Sequence, residues 1–288
     1  MKGKIHMKYG LVMEGGAMRG MFTAGVTDVL MENDIVFDGA AGVSAGACFG
    51  CNYKSRQKGR AIRYNLRFCR DKRYCSLYSL ITTGDMFGAK FCYHTMPDEL
   101  DIFDYDEFNR NPMVFYVVCT DVETGKPVYK KLNKADYEGL EWIRASASMP
   151  LASRIVEIDG RKFLDGGISD SIPLSFMERH GFERNIVILT QPRDYIKKPS
   201  KSIKLVKSVY KKYPKLVKTY SERAKMYNDQ LEYIRKSESE GRAFVIAPPK
   251  KLEVGHVEHN PDKLLEVYRA GRKAALDNLD RILEFLGE

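Results

Sequence analysis

Two periods of apolar spacing run through this chain. Stretches of five to ten residues rich in Val, Ile, Phe and Tyr read as strands: 8–14 (KYGLVME), 37–44 (FDGAAGVS), 113–122 (MVFYVVCTDV), a partner near KPVYKKL, and RNIVILT. RIVEIDGRKFLDGG reads as two strands turning at Asp159 and Gly160, and RAFVIAPP as a last strand. Between them lie helical patterns over 18–33, from 45 through SRQ, over 59–71 and over 136–148, the last stopping before Pro150. PLSFMERHG is a short helix closed by Gly181. Two longer helical stretches follow RNIVILT. A final helix is expected over about 261–286, where Leu264, Tyr268, Ala275, Leu279, Leu283 and Leu286 mostly recur three or four apart. Residues 72–104 carry mixed signals and read as irregular or as a lid-like insertion.

Strands alternating with helices predict an α/β fold: a mostly parallel central sheet sandwiched by helices, with a helical C-terminal region. The 288 residues suit a single domain over 1–288, with 193–240 open to being an appended basic helical segment. No apolar run approaches the ~20 residues of a membrane span, and the start, MKGKIHMKYG, lacks the apolar stretch of a secretory signal. Six cysteines, all before residue 120, form no disulfide framework, and a cytoplasmic setting is expected. Cys48 and Cys51 form a CxxC inside a helix of small residues, where close packing is a simpler reading than redox or zinc chemistry.

Charge changes the picture at one place. The chain carries net +9, yet residues 195–225 alone hold ten lysines and one arginine against one glutamate. Lys201, Lys204, Lys207, Lys211, Lys215 and Lys218 recur every three or four residues, and a helix would gather them into a stripe. Val206, Val209, Tyr213 and Leu216 recur similarly and are expected to face the body, with Pro214 kinking or dividing the element. The stripe reads either as a solvated face or as a patch for peripheral contact with anionic membrane at the inner membrane surface. No nucleic-acid motif accompanies it, and no nucleic-acid partner is expected.

The candidate chemistry sits at strand ends. Strand 8–14 runs through EGGAMRG into a helix, where Gly15, Gly16 and Gly20 allow backbone N–H groups to converge on negative charge, either a bound anion or an oxyanion. The strand after it ends in GVSAG, with Ser44 flanked by Gly42 and Gly46, the pattern of a nucleophile elbow. If the two strands are parallel neighbours, loop and serine meet at one sheet edge. A base is then needed. His6, His94 and His180 are poorly placed, and His256 and His259 form an HxxH in a polar loop. Asp165, followed by Gly166 and Gly167, ends a strand and would reach the same edge. Partial burial would raise its pKa and suit it to deprotonating a serine. A plain Asp-Gly turn is the structural alternative.

GGAMRG, GVSAG and DGG, in this order and spacing, together with RASASMP and DGGISDSIP, resemble the patatin-like phospholipases. The resemblance spans roughly residues 8–190. It implies a serine acyl-hydrolase with Ser44 and Asp165 as a catalytic dyad, an oxyanion hole at Gly15, Gly16 and Ala17 with Arg19 adding positive potential, an acyl-ester or lipid substrate, and neither metal nor cofactor. The sequence departs from the family at Ala17, where a third glycine is usual; alanine resists positive φ. Two alternatives remain: an α/β-hydrolase-type esterase with a Ser-Asp-His triad, whose fold places more strands before the elbow, and a non-catalytic anion- or nucleotide-binding module.

Overall fold

The computed structural model describes residues 7–287; His6 lies outside them. The chain runs β1 (Tyr9–Met13), α1 (Met21–Glu32), β2 (Gly39–Val43), α2 (Ala45–Lys54), α3 (Arg60–Phe68), α4 (Leu77–Thr83), α5 (Tyr105–Arg110), β3 (Val114–Asp121), β4 (Pro127–Leu132) and α6 (Tyr137–Ser146). It continues with β5 (Val156–Ile158), β6 (Arg161–Asp165), α7 (Leu174–Arg179), β7 (Arg184–Ile188), α8 (Ile203–Val209), α9 (Pro214–Ser239), β8 (Ala243–Ile246), α10 (Pro261–Leu276) and α11 (Leu279–Leu286). The sheet order is β5-β6-β3-β2-β1-β7-β8, with β4 on the other edge of β3. The run β3-β2-β1-β7-β8 is parallel, whereas β4, β5 and β6 add an antiparallel flank.

Both faces of the sheet are covered, as period-two burial requires. Leu11 and Met13 point into a large core with α1, α2 and α10. Val12, between them, points into a second core with α7 and α9, built on Met177, Tyr227, Leu231 and Ile234. A third cluster joins Val206 and Leu216 to Leu164 and Ile168. Val206 and Leu216 thus face the body as expected, but Val209 does not: it is 56% exposed on α8.

Three expectations need correction. Residues 72–104 are largely helical, holding α4 and a π-helical segment, Phe91–Leu100. Ser76 caps α4 by accepting the Ser79 N–H at 2.9 Å. Pro97, inside the π segment, has no N–H to donate, and that interruption masked the helix in the sequence. The final helix is two, divided at Asp277 and Asn278. There the Asn278 side chain donates to the Ala274 carbonyl at 2.9 Å and competes with the backbone ladder. The first of the two stretches after β7 is only the seven-residue α8, because Pro214 starts a new helix at its first turn. The lysines are therefore split between α8, the connecting turn and α9 instead of forming one stripe.

Candidate active site

Strand register sets the centre of the site. Strand β4 pairs with β3 over residues 115–120, so β2 and β6, which also pair there, must share the opposite edge of β3. Strand β2 occupies that edge up to Val43 opposite Val118; β6 takes over at Asp165 opposite Cys119. The residue after Val43 is Ser44. Two strands arriving from opposite directions along one edge therefore deliver Ser44 and Asp165 to the same point.

Ser44 begins α2 in a backbone conformation, φ 54° and ψ −122°, that a residue with a Cβ holds only under strain. Its neighbours make the turn possible. A Cβ on Gly42 would lie 2.6 Å from the Gly46 carbonyl oxygen, and one on Gly46 would collide with the Met13 carbonyl. The Ser44 N–H donates to Ser146 Oγ at 2.8 Å, and Ser146 Oγ donates to the Val118 carbonyl at 2.6 Å, so a buried hydroxyl clamps the elbow to β3. Ser146 came from RASASMP but its clamping role was not foreseen.

The Asp165 carboxyl is buried, and its pKa is raised. Burial is the main cause. Opposing it are the positive charge of Arg223, a side-chain hydrogen bond with Ser44, the Gly167 N–H and the charge of Lys197. Gly167 donates to Asp165 Oδ1 at 2.7 Å, while Thr120 Oγ1 donates to the Asp165 carbonyl at 2.8 Å. Gly166 packs on the Val118 backbone. The register thus leaves a buried carboxyl of raised pKa beside the serine that ends β2.

The glycine loop lies over the serine: a Cβ on Gly15 would be 2.8 Å from Ser44 Cβ. Ala17, which opens a 3-10 turn running to Gly20, has φ 48°, so the alanine adopts the conformation that favours glycine. Gly20 packs on the Phe49 ring, and Arg19 Nε is buried without a hydrogen-bond partner among the described residues. What holds the loop was not read from the sequence. Buried Glu14 accepts the Thr190 N–H at 2.6 Å through Oε2 and the Tyr227 hydroxyl at 2.7 Å through Oε1. Thr190 Oγ1 donates to the Gly15 carbonyl at 2.9 Å. The only available signal was a lone carboxylate ending an apolar strand.

Ser44 stands between two cavities. One, with about 790 Å³ of empty space including its mouth, is lined mainly by apolar and aromatic groups such as Met18, Phe49, Tyr64, Phe87, Met96 and Leu140. Cys48 and Cys51 also line it, and burial pushes their thiols up to about 12 and about 11, so both are neutral wall residues at pH 7. The other, with about 1240 Å³ including its mouth, is the more polar of the two and holds Glu14, Arg19, Asp165, Lys197, Arg223 and His256. The basic stretch 193–240 thus supplies a wall of the site: α9 carries Tyr220, Arg223 and Tyr227 on one face, and Arg223 Nε donates to the Gly167 carbonyl at 2.6 Å. Lys197 and Arg223 were hidden in the sequence among the surrounding lysines.

The histidines are placed as follows. His94 bonds Glu141 at 2.9 Å, His180 bonds the Phe176 carbonyl at 2.8 Å, and His259 bonds the Cys69 carbonyl at 2.6 Å. Of the histidines among the described residues, His256 alone reaches the polar cavity. Burial and then the charges of Arg19, Arg223 and Lys197 lower its pKa; neither Ser44 nor Asp165 is among its influences. No helix of the described residues is long and apolar enough to cross a membrane.

The family model described as patatin-like phospholipase matches residues 11–177, and one for a domain of unknown function (DUF6363) matches residues 213–287. The uncharacterized protein YjjU of Escherichia coli is 30% identical over 277 residues, covering 91% of this chain and 74% of its own. Lysophospholipase nte1 of Aspergillus terreus is 30% identical over 185 residues, which cover 60% of this chain but 11% of the fungal protein. VipD from Legionella pneumophila, a solved structure, superposes with a TM-score of 0.49 at 11% identity, over 96% of this chain and 67% of VipD. One family model thus accounts for the chain from the first strand through the helix after Asp165, and the chain belongs to the patatin-like phospholipases, a family of lipid acyl hydrolases.

Proposed function

We propose that this chain hydrolyses acyl esters with Ser44 as nucleophile and Asp165 as its base. The observation that carries the reading is the convergence of Ser44, on a strained elbow after β2, and buried Asp165, ending β6, at one point on the edge of β3. Ser44 Oγ attacks the ester carbonyl while its proton passes to Asp165. The oxyanion is held by N–H groups of Gly15, Gly16 and Ala17, with Arg19 adding positive potential. Collapse expels the alcohol, which takes the proton from Asp165. Water then gives a proton to Asp165 and attacks the acyl-enzyme; the acid leaves, and Ser44 recovers its proton. The apolar cavity suits the acyl chain. Turnover of a panel of acyl esters, with Ser44→Ala as the blank, tests the reading; a panel on which wild type and blank are equal would remove it. A Ser-Asp-His triad lacks support because no histidine among the described residues intervenes between the two groups.

The glycine loop has its own test. A valine at position 16 would bring its Cβ within 2.6 Å of Thr190 Oγ1 and displace the loop. Gly16→Val is expected to lower kcat by about 10²–10³, the usual cost of one oxyanion donor. Ala17→Gly relieves a left-handed alanine, worth about 1–2 kcal/mol, against an unfolded-state cost of about 0.4–1 kcal/mol. It should keep activity and leave Tm equal or higher. Full activity in Gly16→Val would put the oxyanion donors elsewhere.

Helix α8 supports peripheral contact with anionic membrane. Leu205 and Val209, 55% and 56% exposed, lie among Lys204, Lys207, Lys211 and Lys212. Apolar groups set among lysines suit an anionic interface, where each lysine contributes about 1 kcal/mol. Co-sedimentation with anionic vesicles is expected to exceed that with zwitterionic ones, to weaken with salt, and to fall when Lys204, Lys207, Lys211 and Lys215 become Gln. Binding indifferent to lipid charge would reduce the lysines to a solvated face.

A further inference from the structure

The polar cavity beside Ser44 gathers three cationic side chains against two carboxylates. Arg19, Lys197 and Arg223 line it, and its two carboxylates already accept hydrogen bonds: Glu14 from Thr190 and Tyr227, Asp165 from Gly167. Lys197 is held over the Tyr227 ring, with Nζ 4.2 Å from its centroid. Its backbone is fixed on both sides by Asn228, which accepts the Lys197 N–H at 2.9 Å and donates to the Lys197 carbonyl at 3.1 Å. Burial first, then Arg223 and Arg19, lower the Lys197 pKa to about 8, against the opposing pull of Glu14 and Asp165. Among the described residues no hydrogen bond or ion pair engages the Lys197 ammonium, so it stands on the cavity wall available to an anion.

The two cavities share Ala17, Ser44 and Met149, so a substrate with its acyl chain in the apolar one places its alcohol portion in the cationic one. Resting on the acyl-hydrolase reading, we infer that the enzyme selects acyl esters whose alcohol carries a net negative headgroup, such as a phosphomonoester, and discriminates against zwitterionic choline headgroups, with Lys197 and Arg223 as the selecting groups. A phosphate gains charge-assisted hydrogen bonds from both side chains. A quaternary ammonium meets like charge instead. The selecting residues lie outside the span matched by the patatin-like model; Arg223 falls within the span matched by the domain of unknown function.

The experiment compares kcat/KM on a monoacylglycerol, its phosphate and its phosphocholine counterpart, with one acyl chain throughout and all presented in the same neutral detergent micelles. The phosphate substrate should exceed the choline one by about tenfold or more. In Lys197→Met the phosphate-to-neutral ratio should fall roughly 10- to 100-fold, mainly through KM, the range set by losing one hydrogen bond to a charged group. The ratio cancels any effect of Lys197 on Asp165, and Lys197→Arg should restore it. Arg223 is the poorer probe because its Nε also holds the Gly167 carbonyl. Inorganic phosphate, at constant ionic strength, should raise the Tm of the whole chain and fail to do so in Lys197→Met. Equal turnover of the phosphate and choline substrates overturns the inference and leaves the hydrolase reading standing. A site that takes inorganic phosphate yet shows no headgroup preference overturns it too, in favour of a free-phosphate site. A chain inactive on every ester and unshifted by phosphate overturns both.

Discussion

Replacing Ser44 with alanine should abolish labelling by a fluorophosphonate probe and cut ester turnover by a factor on the order of 10⁶, the scale of losing an activated serine. The expectation follows from how completely the fold is arranged around that one hydroxyl. Its backbone is strained, its N–H is held by Ser146, and Gly42 and Gly46 carry no side chain because backbone fills the space where a Cβ would lie. Alanine keeps the Cβ and the turn, so Tm should barely move, and the loss is chemical. Ser146 and Ser148 are the competing serines. Ser146 Oγ is committed to the Val118 carbonyl and Ser148 Oγ to the Arg144 carbonyl, so neither is poised to react. Peptide mapping of the labelled protein decides the matter: label on either of them in place of Ser44 would overturn the assignment.

Asp165→Asn should lower kcat by about 10²–10⁴, the range of general-base assistance, while leaving the fold as stable as wild type or more so at pH 7–8. The two halves have one cause. Burial raises the pKa of this carboxyl, so ionising it in the folded chain costs more than in the unfolded one. An acid with a raised folded pKa binds more protons folded than unfolded. It therefore weakens the fold as pH climbs from the unfolded value, about 3.9, to the folded one, and the penalty persists above. Asparagine removes that penalty and still accepts the Gly167 N–H. In wild type, kcat/KM should rise with pH along an acid limb lying above the ordinary aspartate value, and the limb should be missing from the residual activity of the variant. Alanine at His94, His180, His256 or His259 should leave most activity on a neutral ester. A folded but dead His256→Ala would favour a triad instead.

Much of this molecule is written in local pattern. The strands were legible because their apolar runs are short and buried on both faces, as β1 shows with Leu11 and Met13 on one side and Val12 on the other. The elbow and the DGG turn were legible because close backbone approach restricts the residue types allowed at Gly42, Gly46 and Gly166. Helices broken by particular side chains were not: Pro97 masked the π-helical segment, and Asn278 divided what periodicity joined.

The sequence by itself determined the α/β class, the serine on its turn and the aspartate at its strand end, because each depends on residues within a few positions of one another. Only the tertiary structure decided that Ser44 and Asp165, more than a hundred residues apart in the chain, reach the same point, since that rests on β2 and β6 each pairing with the same edge of β3. It also decided which members of a long basic run matter. Lys197 and Arg223 look like their neighbours in the chain. What distinguishes them is the cavity they face beside Ser44, and burial there depends on how α9 packs across the sheet, which no local spacing encodes.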